Sequence, residues 1–182
     1  RIGIDHFKEI NDNFGQEYGD FVLKKTAECI SGCISEGQKV YKLVADEFLI
    51  LDVFSDEVKD ADKLYDKVRD AIDGFIETNE FKVMYTVSGG IVPFAALKGD
   101  QYSEALKLTD FALNEAKKLG RNRCYTFNSE TYRKFLRKRE ITQELREAVS
   151  NGFRGVTAFY QPVFAEDKKV PYGAEALMRF TS

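Results

Sequence analysis

Long apolar runs, an excess of basic residues and a paired cysteine framework are all missing from this 182-residue chain. No stretch approaches the roughly 20 consecutive apolar residues that a membrane-spanning helix needs, and the first residues carry no secretory-signal pattern. The formal net charge of −3 leaves no concentrated Lys and Arg surface of the kind nucleic acid selects. Neither nucleic acid nor a membrane is therefore an expected partner. The three cysteines, two of them at Cys29 and Cys33 within one helical period, form neither a disulfide set nor a spaced zinc motif. They read as small buried hydrophobes in a reduced, cytoplasmic setting. The single histidine, His6, is assigned no catalytic role.

What is present is a globular composition, 43% hydrophobic, enough for one compact domain and an appendage. The chain begins without Met and inside a strand-like segment. It is therefore expected to be a piece of a longer protein, and membrane anchoring of that parent stays open.

Periodicity supplies the elements. Arg1 to Asp5 reads as the tail of a strand, and Leu23, Ala27, Ile30 and Ile34 predict a helix over 17–35. Strands over 38–43 and 48–53 flank a turn at Val44 to Glu47, where Gly or Asn is the expected hairpin chemistry. Ala61, Leu64, Val68, Ile72 and Phe75 predict a helix over 56–76. The β-forming run 82–92 predicts a strand that Pro93 stops. Ala105, Leu108, Ala112 and Ala116 predict a helix over 102–119, ended by Gly120, before a short strand over 124–127. This order predicts an α+β fold, a mostly antiparallel sheet flanked by helices. From Ser129 a charged helix with a solvated face runs to Asn151 and reads as an interdomain linker. Strands over 156–164 and 170–180 then form a hairpin. The expected domains are 1–128, 129–151 and 152–182.

The segment Ile4-Asp5-His6-Phe7-Lys8-Glu9-Ile10-Asn11-Asp12, taken with Lys42-Leu43-Val44-Ala45-Asp46-Glu47-Phe48, resembles the signature of GGDEF domains. These are diguanylate cyclases, which join two GTP molecules into cyclic di-GMP. The resemblance implies a central sheet like the palm of nucleotide cyclases, with the signature hairpin at its active edge. Both hairpin glycines are replaced, by Val44 and Ala45. A non-glycine residue held at positive φ costs about 1 to 3 kcal/mol, so a relaxed turn with Val44 crowding the nucleotide is expected.

Nucleotide joining requires carboxylates that hold divalent metal against the phosphates. By the resemblance, the family's first metal-binding Asp falls on Gly3, and the second Asp of that strand survives as Asp5. Asp46 matches the other side-chain ligand and Glu47 the letter after it, so Asp46 and Glu47 are catalytic remnants. Mg2+ is implied only weakly, through Asp46 and Asp5, and the fold requires none. Asn11 and Asp20 match guanine-recognising positions, while Lys8, Lys117 and Arg121 match positions near the triphosphate. Taken singly, these five read equally well as caps, turn residues or helix-end charges. The family's inhibitory product site, Arg-x-x-Asp, falls on Ser35 and Gln38 and is missing.

Phe159-Tyr160-Gln161-Pro162, followed by Tyr172-Gly173-Ala174-Glu175-Ala176-Leu177-Met178-Arg179-Phe180, resembles the opening of an EAL domain, a cyclic di-GMP phosphodiesterase. The resemblance implies Gln161 in the substrate cleft, Glu175 as a metal-binding residue and Arg179 as a phosphate contact. A barrel of that kind needs at least about 200 residues, so these strands are expected to be a truncated, hydrolytically inert start. Their apolar face then needs cover, from the preceding domain or a neighbouring molecule. Three functions stay open. The first is a catalytically inactive GGDEF module that binds GTP or interacts, and regulates the attached EAL domain. The second is an active cyclase working as a homodimer. The third is an interaction or dimerisation module that takes neither GTP nor cyclic di-GMP.

Overall fold

Three residues, β1 (Ile2–Ile4), form the centre of a five-stranded sheet in the computed structural model, which describes residues 1–52, 58–78, 83–99, 101–165 and 169–181. The strands are β2 (Gln38–Lys42), β3 (Glu47–Asp52), β4 (Val87–Ile91) and β5 (Cys124–Thr126), in the order β2-β3-β1-β4-β5. All pairings are antiparallel except β4 with β5, so the expected α+β architecture is what forms, as a mixed sheet.

The helices are α1 (Phe7–Phe14), α2 (Gln16–Cys33), α3 (Val58–Thr78) and α4 (Gln101–Lys118). Two adjacent glycines on β4 show how they layer. A side chain on Gly89 would meet Tyr65 of α3, whereas one on Gly90 would lie 2.4 Å from the Leu113 backbone nitrogen of α4. Successive strand residues face opposite sides, so α3 and α4 cover opposite faces. Only glycine lets α4 approach β4 this closely. On the α3 side, Ile2, Ile4, Phe48 and Val87 of the sheet pack with Val22 and Ile30 of α2 and Val68 and Ile72 of α3.

Several boundaries differ from the periodicity. Helix α1 was not anticipated, because over eight residues it buries only Ile10. Helix α2 buries Gly19, Val22, Thr26 and Ile30 while Leu23 and Ala27 are half-buried, so its core face is turned by about one residue. Thr26 can be buried because its hydroxyl donates to the Val22 carbonyl at 2.8 Å and lies 3.0 Å from Tyr85 Oη. Strand β4 starts at Val87, where it meets Ile4, rather than near residue 82. Residues 53, 56, 57 and 82, which the predicted elements include, lie outside the described residues.

Residues 1–128 and 129–182 are two compact units. The second holds α5 (Ser129–Ser150) and an antiparallel hairpin of β6 (Val156–Phe164) and β7 (Pro171–Phe180). Helix α5 ends where Gly152 takes a left-handed turn and the Phe153 amide donates to the Ala148 carbonyl at 2.7 Å. On the hairpin, Phe159, Tyr160, Tyr172 and Met178 are exposed. Among the described residues no helix is long and apolar enough to cross a membrane.

Candidate functional site

The β2–β3 turn, the end of β1 and the end of α4 converge because Gly3 pairs with Glu47 across β1 and β3. The Ile4 amide also donates to the Asp46 carbonyl at 3.2 Å. The turn does not relax as expected. Ala45 adopts the left-handed region at φ 55°, and Val44 points into solvent, 86% exposed. Lys42 holds this shape: its ammonium donates to the Leu43 carbonyl at 2.9 Å and to the Ala45 carbonyl. It also lies 5.1 Å from the Phe48 ring centroid, and partial burial lowers its pKa.

The carboxylates of this corner have different surroundings. Asp5 is buried and accepts from three protein donors: Ser88 Oγ at 2.7 Å, Thr86 Oγ1 at 2.7 Å and the Asn122 amide at 3.1 Å. Glu47 accepts from Arg1 Nε at 2.6 Å and pairs with its guanidinium, which also reaches Asp110 at 3.3 Å. Asp46, half-buried, has Lys117 Nζ at 3.9 Å from Oδ2. Gly3 is buried and contributes no side-chain oxygen; a Cβ built on it would lie 3.1 Å from Lys117 Nζ and 3.2 Å from Leu113 Cδ2.

A divalent ion favours several oxygen ligands at about 2.0 to 2.6 Å. Among the described residues no three Cys, His, Asp or Glu side chains are grouped to hold one. Unit charges about 4 Å apart near a protein surface interact by about 4 kcal/mol. A doubly charged ion beside Asp46 would therefore have to compete with Lys117 for the one carboxylate. As arranged, this donor set does not fit a divalent ion.

The other expected residues lie on α1, which follows directly on β1, on α2, and just beyond α4. Asn11, on α1, rests its side chain on Gly19 of α2, where a Cβ would come within 1.8 Å of Asn11 Oδ1. Lys8 on α1 and Asp20 on α2 are exposed. His6 takes a left-handed conformation and lies 2.6 Å from Glu9 Oε1, an acidic neighbour that sequence reading passed over. Arg121 is exposed just beyond α4 at φ 61°, and the next amide, Asn122, is the one that docks on Asp5. Sequence reasoning missed Arg1, Thr86, Ser88 and Asn122 as parts of this corner. Their only signal was polar character beside β strands. In the second unit, Gln161 and Glu175 are direct cross-strand partners and Arg179 lies opposite Thr157; Gln161, Glu175 and Arg179 are exposed.

Residues 1–123 match the family model described as diguanylate cyclase, GGDEF domain. The chain belongs to the GGDEF family. It is 29% identical over 184 residues to cyclic di-GMP phosphodiesterase NbdA of Pseudomonas aeruginosa, covering 98% of this chain and 22% of that protein. The bifunctional diguanylate cyclase/cyclic di-GMP phosphodiesterase MucR of the same organism is 28% identical, over 98% of this chain and 26% of its own length. The chain thus spans about a quarter of these curated relatives. Among solved structures, the GGDEF domain of TpbB from Pseudomonas aeruginosa superposes with a TM-score of 0.64 at 26% identity, over 74% of this chain and 78% of that one. This GGDEF domain is accordingly one of the cyclic di-GMP signalling family.

Proposed function

We propose that residues 1–128 are a degenerate GGDEF domain that binds GTP without joining it. In this reading it regulates an EAL phosphodiesterase whose opening strands are residues 152–182. The observation that carries it is the state of the signature carboxylates: Gly3 supplies none, Asp5 is taken up by three donors, and Glu47 is paired with Arg1. Removing even the partners that orient metal ligands typically lowers affinity or activity 10 to 100-fold. Losing a ligand itself should weaken a metal centre at least that much.

The recognition side is better kept. Asn11, Asp20, Lys8, Lys117 and Arg121 retain the family's spacing and would contact guanine and phosphate. The loop carrying Arg121 is anchored through Asn122 to Asp5. For the EAL assignment, support comes from Gln161 facing Glu175 and from two relatives that match nearly the whole chain and are named as phosphodiesterase or bifunctional proteins. We read α5 as the linker between the two domains and the setting as cytoplasmic.

Calorimetric titration of GTP with Mg2+, run beside a product assay, tests this. The expected result is binding heat without cyclic di-GMP. A ligand present at 100 times its dissociation constant should also stabilise the chain by about 2.7 kcal/mol. Steady dinucleotide formation would remove the reading, and the absence of both binding and product would leave an interaction module.

A further inference from the structure

We propose that the Lys117 ammonium is the resident cation of this pocket, so that an anionic phosphate ligand meets it directly, with no divalent ion between them. The inference rests on the degenerate-site reading and deepens it by naming what neutralises the remaining carboxylate.

Three observations converge. Gly3 leaves open the space that a side chain would fill, and Lys117 lies over it, with Nζ 3.1 Å and Cε 3.4 Å from the position of the absent Cβ. The same ammonium is 3.9 Å from Asp46 Oδ2, and its side chain is only 25% exposed. Lys117 is also in the last turn of α4, where the helix dipole favours a cation. The chain turns sharply there, the Arg121 amide donating to the Ala116 carbonyl at 3.2 Å. The opposite carboxylate, Glu47, is held by Arg1. An incoming divalent cation must therefore compete with Lys117 for Asp46 and with Arg1 for Glu47, whereas a triphosphate can meet the Lys117 ammonium and the exposed Arg121 without displacing a cation.

Mn2+ binding, followed by the loss of the free-ion paramagnetic signal, tests this on the 182-residue chain without any activity readout. The unaltered chain should leave Mn2+ free. The double variant Gly3→Asp/Lys117→Met should bind it at least about tenfold more tightly. Gly3→Asp alone should fall short, because the new carboxylate pairs with the ammonium first. Unaltered protein that binds Mn2+ as well as the double variant overturns the proposal, as does Gly3→Asp alone matching it.

If the double variant fails to fold, Mn2+ titration of the unaltered chain still decides. GTP calorimetry in EDTA and in Mg2+ adds a second reading. Affinities equal within about twofold support the resident ammonium, and a tenfold gain with Mg2+ refutes it. No GTP heat in either buffer would sink the GTP-binding reading, while the Mn2+ result would still judge Lys117.

Discussion

Asp5 sits in an enclosure only 2% open to solvent and accepts from two hydroxyls and one amide. Hydroxyls of Thr86 and Ser88 can rotate toward other acceptors, but the Asn122 amide is fixed by its backbone. Hydrogen bonds to a charged group contribute roughly 1.5 to 3 kcal/mol, and a stranded buried donor costs about 1 to 3. Asp5→Ala is therefore expected to lower stability by about 3 kcal/mol or more in urea unfolding. Asp5→Asn, which keeps the size and one acceptor oxygen, should lose less. A loss under about 1 kcal/mol for the alanine variant would show that these bonds do not hold the corner together. Asp5 thus fastens the end of β1, β4 and the Arg121 loop to one another, a structural role for a buried carboxylate that needs no metal ion.

The β2–β3 turn holds one glycine-like conformation without a glycine, because Ala45 is left-handed while Val44 is not. An L-residue in that region costs about 1 to 2 kcal/mol, against about 0.5 to 1 for the extra chain freedom of glycine. Ala45→Gly should then stabilise the chain by about 0.5 to 1 kcal/mol, a rise of about 1 to 4 °C in Tm for a chain this long. Val44→Gly relieves nothing and should lower Tm, so equal responses from the two variants would refute this account of the turn. The hairpin itself was legible, since β2 ends and β3 begins within a residue of the predicted positions. So were the long helices, whose apolar spacing is local information. Helix α1 was not, because a short helix with one buried side chain leaves almost no periodic trace. The candidate site was legible only as motif spacing. Its connections were hidden because Asp5 finds its partners 81, 83 and 117 positions along the chain, and no local pattern reports a contact at that separation.

The first unit as a whole is held by a core in which several ionisable groups are kept neutral. Burial pushes the Cys124 thiol up to about 12 and the Tyr85 phenol up to about 12, and raises Tyr65 further, while the Thr26 hydroxyl only partly offsets the effect at Tyr85. Tyr65 donates to the Val87 carbonyl at 2.9 Å, and Tyr85 reaches Thr26 of α2. The two phenols therefore tie α3 to β4 and α2 to the segment just before it in their protonated forms. Their ordinary values are 9.0 for the thiol and 10.0 for the phenols. As pH rises past 9, the unfolded chain sheds protons that the folded chain retains. The stabilisation is complete below that pH and is lost progressively toward 12. For Tyr85 alone, a rise from 10.0 to about 12 corresponds to roughly 2 to 3 kcal/mol. The urea midpoint should accordingly be steady between pH 7 and 8.5 and fall steeply between pH 9 and 11, with no matching change in the denaturant slope. Tyr85→Phe should flatten part of that fall, since Thr26 keeps its bond to Val22 when the phenol oxygen is gone. A midpoint that stays level to pH 11 would mean that water reaches these groups in the folded chain, and that the contacts of α2 and α3 with the sheet are looser than their burial implies.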